Sequence, residues 1–400
     1  MANISVMDTD FNIVGVLDYY QSFIWTDRFR TPGDFEIYTP VDSKFLNLCL
    51  QNRYLLVDFS LHNMIIEEID IETSAETGQN MIIRGRSLES ILDRRIVWNQ
   101  TVIGGTTNRT LEAGIKKLID DAIISPGQDY QDRKISNFKF KYSEADAMIK
   151  IGGEWTAIRD LPLDKTEFTG DQLDVIIQDI CESYDGLGYR ILFGYQMKAI
   201  YGSDVTDASG NTLNDYDFVF ELYSGVDLSY EQDVLPYVVF SPDFDNIINT
   251  NYIDTIASMK NVTLVLGEGE GASRKRLIVG SQDGLMRREL YTDARDLQSS
   301  EYGTKAKYQA AMKQRGLEKL VENSRTTSYE GEVEATRSFV YGRDFFMGDI
   351  IQIKNEYGIS GNSRVIEWVR SESDAGIEVY PTFDGIQLID DTTTEDGGWS

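Results

Sequence analysis

The chain has 400 residues, 41% of them hydrophobic and 26% charged, which is the composition of a folded globular protein and not of a disordered one. Its 66 acidic and 38 basic side chains give a formal net charge of -28, which argues against the basic surface that tight nucleic-acid binding requires. Two distant cysteines, Cys49 and Cys181, exclude a dense disulfide framework and favour free thiols in a reducing compartment.

Chain length and hydropathy limit the number of domains and the kinds of segment that we expect. At roughly 150 residues per domain, a chain of this length is expected to form about two or three domains. We expect neither a signal peptide nor a membrane-spanning helix, because no apolar run approaches the ~20 residues that a bilayer requires and the N terminus lacks a basic segment before an apolar one.

Short strands dominate the first predicted unit, residues 1–127. Aromatic and β-branched runs between turn signals predict strands at 13–17, 23–29, 35–38, 54–59, 64–71 and 81–86. The sequence Pro32-Gly33-Asp34 predicts a hairpin tip, because proline and glycine supply the backbone angles of a tight turn. A short helix at 87–94 and a longer one at 111–124 complete an antiparallel, barrel-like domain.

The second predicted unit, residues 128–233, is a mixed α/β insert. Apolar residues at helical spacing predict its main helix: Leu173, Ile176, Ile177, Ile180, Cys181 and Tyr184. Asp171 is the expected N-cap of this helix, and a strand at 189–193 follows it. Alternation of Phe218, Phe220 and Leu222 with polar or smaller residues predicts a half-buried strand.

The third predicted unit, residues 234–383, is a second barrel-like domain. Strands at 262–266 and 277–279 are expected to form an exposed hairpin around the glycine-rich loop 267–271 and the basic run 274–276. A helix at 305–323 precedes the last strands, at 350–353, 364–369 and 377–380. The acidic segment 384–400 is predicted to be a flexible tail. The fold class is therefore α+β, mainly β, with two antiparallel barrel-like domains around a mixed insert.

No residue pattern predicts a metal, a cofactor or a nucleophile. His62 is the only histidine, no G-x-S-x-G sequence surrounds a serine, and we interpret His62 as a turn or surface residue. A structural zinc site lacks ligands, since one histidine and two distant cysteines are available. The loop 267–271 is followed by a predicted strand instead of the helix that a dinucleotide-binding loop needs.

Acidic residues next to tryptophans leave a second reading open. Glu154 precedes Trp155 and Glu367 precedes Trp368, and an acid beside an aromatic platform is typical of glycoside hydrolases and carbohydrate-binding modules. The alternative is a solvated strand edge beside a core aromatic. Turnover of a host polysaccharide would favour the first interpretation.

A series of local motifs runs through nearly the whole chain. In order they are Tyr19-Tyr20, Phe23-Ile24-Trp25, Arg28-Phe29, Gly33-Asp34-Phe35-Glu36, Gly85-Arg86-Ser87-Leu88, Ile91-Leu92, Arg95-Ile96, Ser241, Asn251-Tyr252, Lys260-Asn261-Val262, Gly284-Leu285, Arg287-Arg288-Glu289, Tyr341-Gly342, Asp344 and Gly348-Asp349. Taken together, their order and spacing resemble the siphophage tail-hub family, the baseplate hub or N-terminal platform of tail-associated proteins in phages of Gram-positive hosts.

This resemblance implies a virion structural protein without catalytic activity, made in the host cytoplasm. It implies a homotrimer whose six barrels form a pseudo-sixfold ring that closes the tail tube, surrounds the DNA exit channel and carries fibres or tip proteins. The hub of a phage-derived contractile injection system is an alternative that the sequence does not separate from it. As assembly contacts we predict two elements of the sequence, the hairpin with Trp25, Arg28, Phe29, Gly33 and Asp34 and the loop with Gly269 and Arg274. The alternative, above all for the aromatic residues, is packing within the chain.

Overall fold

The computed structural model describes residues 2–74, 78–105, 109–151, 154–163, 165–333, 339–355, 357 and 359–388. Most of the predicted acidic tail, from residue 389 onward, lies outside these residues. None of the helices in the described ranges is long and apolar enough to cross a membrane.

The elements follow the predicted strand-rich order. The strands in the first third are β1 (Ile4–Met7), β2 (Ile13–Leu17), β3 (Ser22–Arg28), β4 (Asp34–Pro40), β5 (Tyr54–Leu56), β6 (Met64–Ser74), β7 (Gly78–Ser87) and β8 (Thr101–Ile103). Those in the middle are β9 (Phe138–Phe140), β10 (Met148–Ile151), β11 (Glu154–Ala157), β12 (Thr166–Phe168), β13 (Gly188–Phe193) and β14 (Phe218–Tyr223). The last are β15 (Val239–Phe240), β16 (Ile248–Thr255), β17 (Val262–Leu266), β18 (Arg276–Val279), β19 (Glu289–Asp293), β20 (Thr326–Glu332), β21 (Ile350–Lys354), β22 (Ser360–Ser373) and β23 (Gly376–Leu388).

The α-helices are α1 (Ser43–Leu48), α2 (Leu111–Ile119), α3 (Leu173–Glu182), α4 (Gly194–Tyr201) and α5 (Lys305–Glu322). The predicted helices at 111–124, around 173–184 and at 305–323 are confirmed, and a π-helical turn at Asp120–Ile124 continues α2. The predicted N-cap Asp171 is wrong, because Gln172 occupies that position and the Asp171 carboxylate accepts the main-chain N–H of Thr169 instead (3.0 Å).

One sheet of 13 strands joins the two ends of the described chain. Eleven strands follow one another in the order β16-β20-β23-β22-β3-β4-β7-β6-β5-β1-β2. The other two lie off this path, since β21 pairs with β22 and β15 pairs with β21. The joint between the ends is the antiparallel pair of β22 with β3, in which Glu367 lies opposite Arg28. The mainly β, antiparallel fold class is confirmed, and among the described residues this path stays open and closes no barrel. The domain boundaries at 127 and 233 stay predictions.

The middle of the chain packs a three-stranded sheet of β13, β14 and β9 against α2 and α3. The predicted half-burial of β14 is wrong, because all six of its residues are buried. Val219 packs with Met197 of α4 on the second face. On that face Glu221, 0% exposed, is neutralised by Arg190 (2.6 Å) and Lys141 (3.3 Å), so a charged residue that suggested solvent contact lies in the interior.

A small α/β module is inserted at the edge of the large sheet. Thr255 of β16 and Thr326 of β20 are paired across the sheet, so residues 256–325 leave it and return to it at one point. The module contains the predicted hairpin of β17 and β18, the parallel strand β19 and the helix α5, and it has its own core around Val265, Tyr308 and Met312. We call residues 256–325 the basic module, for the charge described below.

Candidate assembly surfaces

Trp25 and Phe29, two predicted assembly contacts, are buried inside the chain. The Trp25 ring is 0% exposed, packs on Phe35 with 6.1 Å between ring centroids, and donates its indole N–H to Asp27 (3.0 Å). Phe29 lies edge-on to Tyr223 at 5.3 Å. Their role in assembly stays a prediction, but in this structure both rings belong to the chain's own core.

The other residues of that hairpin are closer to the surface. Arg28 donates to Glu367 across the joint between β3 and β22 (2.8 Å) and also forms an ion pair with Asp34. Gly33 donates its N–H to Ser87 (2.9 Å), and a Cβ atom at Gly33 would lie 2.2 Å from the Thr26 carbonyl oxygen, so only glycine fits there. Arg28 and Asp34 therefore offer partly exposed charge, while Gly33 allows the tight turn.

Arg274, a predicted contact in the second hairpin, is bonded mainly to its own chain. It donates to the carbonyls of Gly267 and Leu266, both at 2.9 Å, and forms an ion pair with Asp293 (2.5 Å). Gly269 at the tip has φ +95°, in the region that favours glycine. Arg274 therefore holds the hairpin tip in place through bonds within the chain. Arg276, two residues further along, is exposed.

His62 lies in a loop between β5 and β6, but the expected surface position is wrong, because the side chain is buried. Its Nδ1 is 3.2 Å from Glu89, which also accepts the main-chain N–H of Ile191 (2.8 Å). Burial by itself would lower the pKa of His62, but the negative charges of Glu89 and Asp27 outweigh it and raise that pKa above its usual value. The network fastens the first strands to β13 of the middle sheet.

The same network does not have the geometry of a serine-histidine-acid triad. The Ser60 hydroxyl donates to Asp27 (2.6 Å) and accepts the main-chain N–H of His62 (2.9 Å), so its contact is with the acid and not with the imidazole. Burial raises the pKa of Asp27, partly offset by His62. These groups bond to one another and to the main chain, which is the arrangement of a structural junction.

The two acid-tryptophan pairs have different environments. Glu367 pairs with Arg28, and Trp368 is buried, stacked on Tyr341 with 4.9 Å between ring centroids. Trp155, in contrast, is 54% exposed. It lines a cleft of about 480 Å³ between the middle of the chain and the large sheet. Only this second tryptophan is open to a ligand.

That cleft is rich in carboxylates, and we call it the acidic cleft. Six acids line it: Glu144, Asp146, Asp185, Asp227, Glu231 and Asp384. Only two cationic side chains, Lys150 and Arg364, line it as well. The described part of the chain contains no cluster of three or more acidic, histidine or cysteine side chains that could hold a metal ion. The cleft therefore offers negative charge without a metal-binding geometry.

A second concave surface lies on the basic module, and we call it the basic groove. It has a volume of about 580 Å³ and is formed by the β17–β18 hairpin and the beginning of α5. Its cationic lining residues are Lys275, Arg276 and Lys305, and hydroxyls of Ser299 and Thr304 accompany them. Its charge is opposite to that of the acidic cleft.

Comparison with known proteins places the chain in a family. The family described as Siphovirus ReqiPepy6 Gp37-like protein matches residues 3–383, nearly the whole sequence. The chain belongs to this family. No curated protein matches it. The predicted relationship to siphophage tail proteins is thereby confirmed, while the Gram-positive host stays a prediction.

Solved structures share the fold of this chain at low sequence identity. They include a tail protein from Neisseria meningitidis MC58 (TM-score 0.59, 12% identity, 96% of both chains) and the 43 kDa tail protein of prophage MuSo2 from Shewanella oneidensis (0.57, 12%, 95% of this chain and 98% of that one). Prophage tail protein gp18 from Listeria monocytogenes EGD-e is a third (0.50, 12%, 95% and 94%). The fold is therefore that of phage tail proteins.

Sequence reasoning missed the acidic cleft and the network around the buried Glu221. The residues that line the cleft are spread between positions 144 and 384, so no local sequence pattern predicts it. A weak signal existed for the basic groove, since the run Arg274-Lys275-Arg276 stands out in an acidic chain.

Proposed function

We propose that this chain is a baseplate hub of a siphophage tail. Three copies close the tail tube as a pseudo-sixfold ring, leave a channel through which DNA exits, and support fibres or other tip proteins below while the tail tube or a distal tail protein docks above. The protein acts through its surfaces and catalyses no reaction. The observation that carries this proposal is the family match over residues 3–383 together with the tail-protein fold.

An exposed apolar edge strand supports self-assembly. β2 ends the path of the large sheet, and Ile13 is 55% exposed, with Val14 and Val16 also open to solvent. An edge strand with unpaired main-chain groups and apolar side chains invites pairing with another chain. A closed ring of copies covers such an edge and limits the pairing to a fixed number of subunits.

The acidity of the chain fits a DNA channel. Acidic residues on the wall of the ring would repel the phosphate backbone and let DNA pass without adhering. The other reading is that a charge of -28 keeps the free subunit soluble before assembly. Replacing acids of the channel wall with lysine slows DNA ejection under the first reading and leaves its kinetics unchanged under the second.

Mass and shape test the hub directly. Light scattering on the full chain over a concentration series is expected to approach the mass of three copies, and negative-stain class averages are expected to show a ring with six lobes. A monomer at every concentration, or steady turnover of a cell-wall polysaccharide by the purified chain, would contradict the proposal. The second outcome would favour the glycoside hydrolase reading, with Trp155 as the first residue to substitute.

A further inference from the structure

The charge of the chain is distributed unevenly. The basic module, residues 256–325, contains 13 of the 38 Lys and Arg residues but only 9 of the 66 Asp and Glu residues. Its net charge is therefore +4, whereas the other 330 residues together carry -32. A cationic module inserted in a strongly acidic chain places opposite net charges in different parts of one polypeptide.

Part of the module's positive charge is neutralised within the chain, and part is not. Ion pairs occupy Arg274, Arg287, Arg295, Arg315, Lys319 and Arg325. Lys275, Arg276 and Lys305 are exposed, and among the described residues none of these three has an ion-pair partner. Seven of the module's 13 cations have no ion pair among the described residues, and three of these, Lys275, Arg276 and Lys305, come together in the lining of the basic groove.

The acidic cleft has the opposite imbalance. Asp146 and Glu231 are exposed acids without an ion pair in the part of the chain that the structure describes. Asn362 also lines the cleft, is only 4% exposed, and its Oδ1 atom has no hydrogen-bond partner among the described residues. Carboxylates and an amide oxygen accept hydrogen bonds, so the matching occupant supplies charged N–H donors.

We propose that the basic groove of one copy docks on the acidic cleft of the next copy in the ring. This inference rests on the proposed trimer and names one of its contacts. The second copy is the occupant that the charges favour, because copies that each carry -28 repel one another unless unlike surfaces face each other. A groove-to-cleft contact is heterologous, and repetition of such a contact closes into a ring when the rotation permits it.

Charge reversal on both sides tests this contact. The groove variant carries Lys275→Glu and Arg276→Glu, the cleft variant carries Asp146→Lys and Glu231→Lys, and a third variant combines all four changes. Lys134→Glu with Lys139→Glu is the matched control, since these lysines line neither surface and form no ion pair among the described residues. Thermal unfolding of each variant checks that the fold is kept, and sedimentation equilibrium of the full chain measures self-association.

We expect the groove variant and the cleft variant each to weaken association at least about tenfold, since each places like charges opposite one another. The variant with all four changes is expected to regain most of the wild-type association, because its groove is acidic and its cleft is basic, so opposite charges face each other again. The control is expected to associate like the wild type. Recovery on combining the changes does not follow from misfolding of either single-sided variant.

Four outcomes overturn the contact, and they differ in what they say about the hub. If the wild type assembles and the groove and cleft variants assemble as well as it does, only this contact is rejected. Failure of the variant with all four changes to recover rejects it as well. A wild type that never associates rejects the trimer and this contact together. Loss of binding to a labelled DNA duplex in the groove variant, with unchanged assembly, would assign the groove to nucleic acid instead.

Discussion

Asp349 provides a quantitative test of the interior. It precedes β21 and is buried, and its two carboxylate oxygens accept the main-chain N–H groups of Val226 and Phe346, both at 2.8 Å. Burial raises the pKa of Asp349 from 3.8 to about 6, although these two N–H groups and the positive charge of Arg364 act in the opposite direction. The folded state therefore holds this proton more tightly than the unfolded state does.

The sign of the pH dependence follows from that order of pKa values. A carboxyl with a raised folded pKa contributes stability below pH 3.8, and this contribution is lost as the pH rises through about 6. With these two pKa values, the contribution of Asp349 to the free energy of unfolding falls by about 1.4 kcal/mol between about pH 5 and about pH 8. This range stays above the sequence pI of 4.4.

Asp349→Asn isolates this contribution, because the other ionisable groups are common to both proteins. The difference in free energy of unfolding between wild type and variant is measured by urea denaturation with tryptophan fluorescence at several pH values. We expect the wild type to lose about 1.4 kcal/mol relative to the variant from about pH 5 to about pH 8. The lost hydrogen bond to one N–H group adds a constant offset. A difference that does not change with pH, or that grows in the opposite direction, would refute the reasoning.

Three further substitutions test other features. Gly188→Ala is expected to destabilise the fold by about 1–3 kcal/mol, because its Cβ would lie 2.3 Å from Phe29, whereas Gly127→Ala, with its nearest neighbour at 3.6 Å, should be nearly neutral in thermal unfolding. Glu89→Gln is expected to lower the free energy of unfolding by about 3 kcal/mol at about pH 6 and by less at about pH 9. The reason is that the raised pKa of His62 makes its ion pair with Glu89 fully stabilising below pH 6.5, and this stabilisation is lost as the pH rises through the folded-state pKa. An equal cost at both pH values contradicts this. Ile13→Lys in β2 is expected to weaken self-association in light scattering without changing unfolding. Val175→Lys on α3, at a similarly exposed position, is the control that is expected to leave assembly intact.

Periodicity predicted the elements whose exposure follows a simple rule. The α3 helix has one buried stripe, including Leu173, Ile177 and Cys181, and its sequence spacing was sufficient to locate it. The same reasoning misjudged β14, because alternation was interpreted as one solvent-facing side. Glu221 on that side is buried against Arg190, and the partner that permits this comes from a strand about 30 residues away. Local sequence carries no sign of such compensation.

The predicted contact residues show a related limit. A sequence rich in aromatics at a hairpin is compatible with an interface and with a core, and Trp25 and Phe29 lie in the core here. Trp25 is buried by residues of the first strands, whereas Phe29 packs in a cluster with Val365 and Trp368 of β22, from the far end of the chain. The acidic cleft is nonlocal in the same way. What the sequence alone supported was the family and the strand order, and what it could not supply was which surfaces remain free after distant segments pair.

The pairing of β3 with β22 constrains how a hub of this kind can assemble. It fixes the first strands and the last strands in one sheet, and the Arg28–Glu367 ion pair spans that joint. The His62–Glu89 network joins the loop before β6 and the turn after β7 to Ile191 of β13 in the middle sheet. Because these joints are buried or internally satisfied, they have little capacity left for a second copy. Subunit contacts are then expected where capacity remains, at the apolar edge strand β2 and at the unpaired charges of the groove and the cleft, so that the fold is completed within each copy before the ring closes.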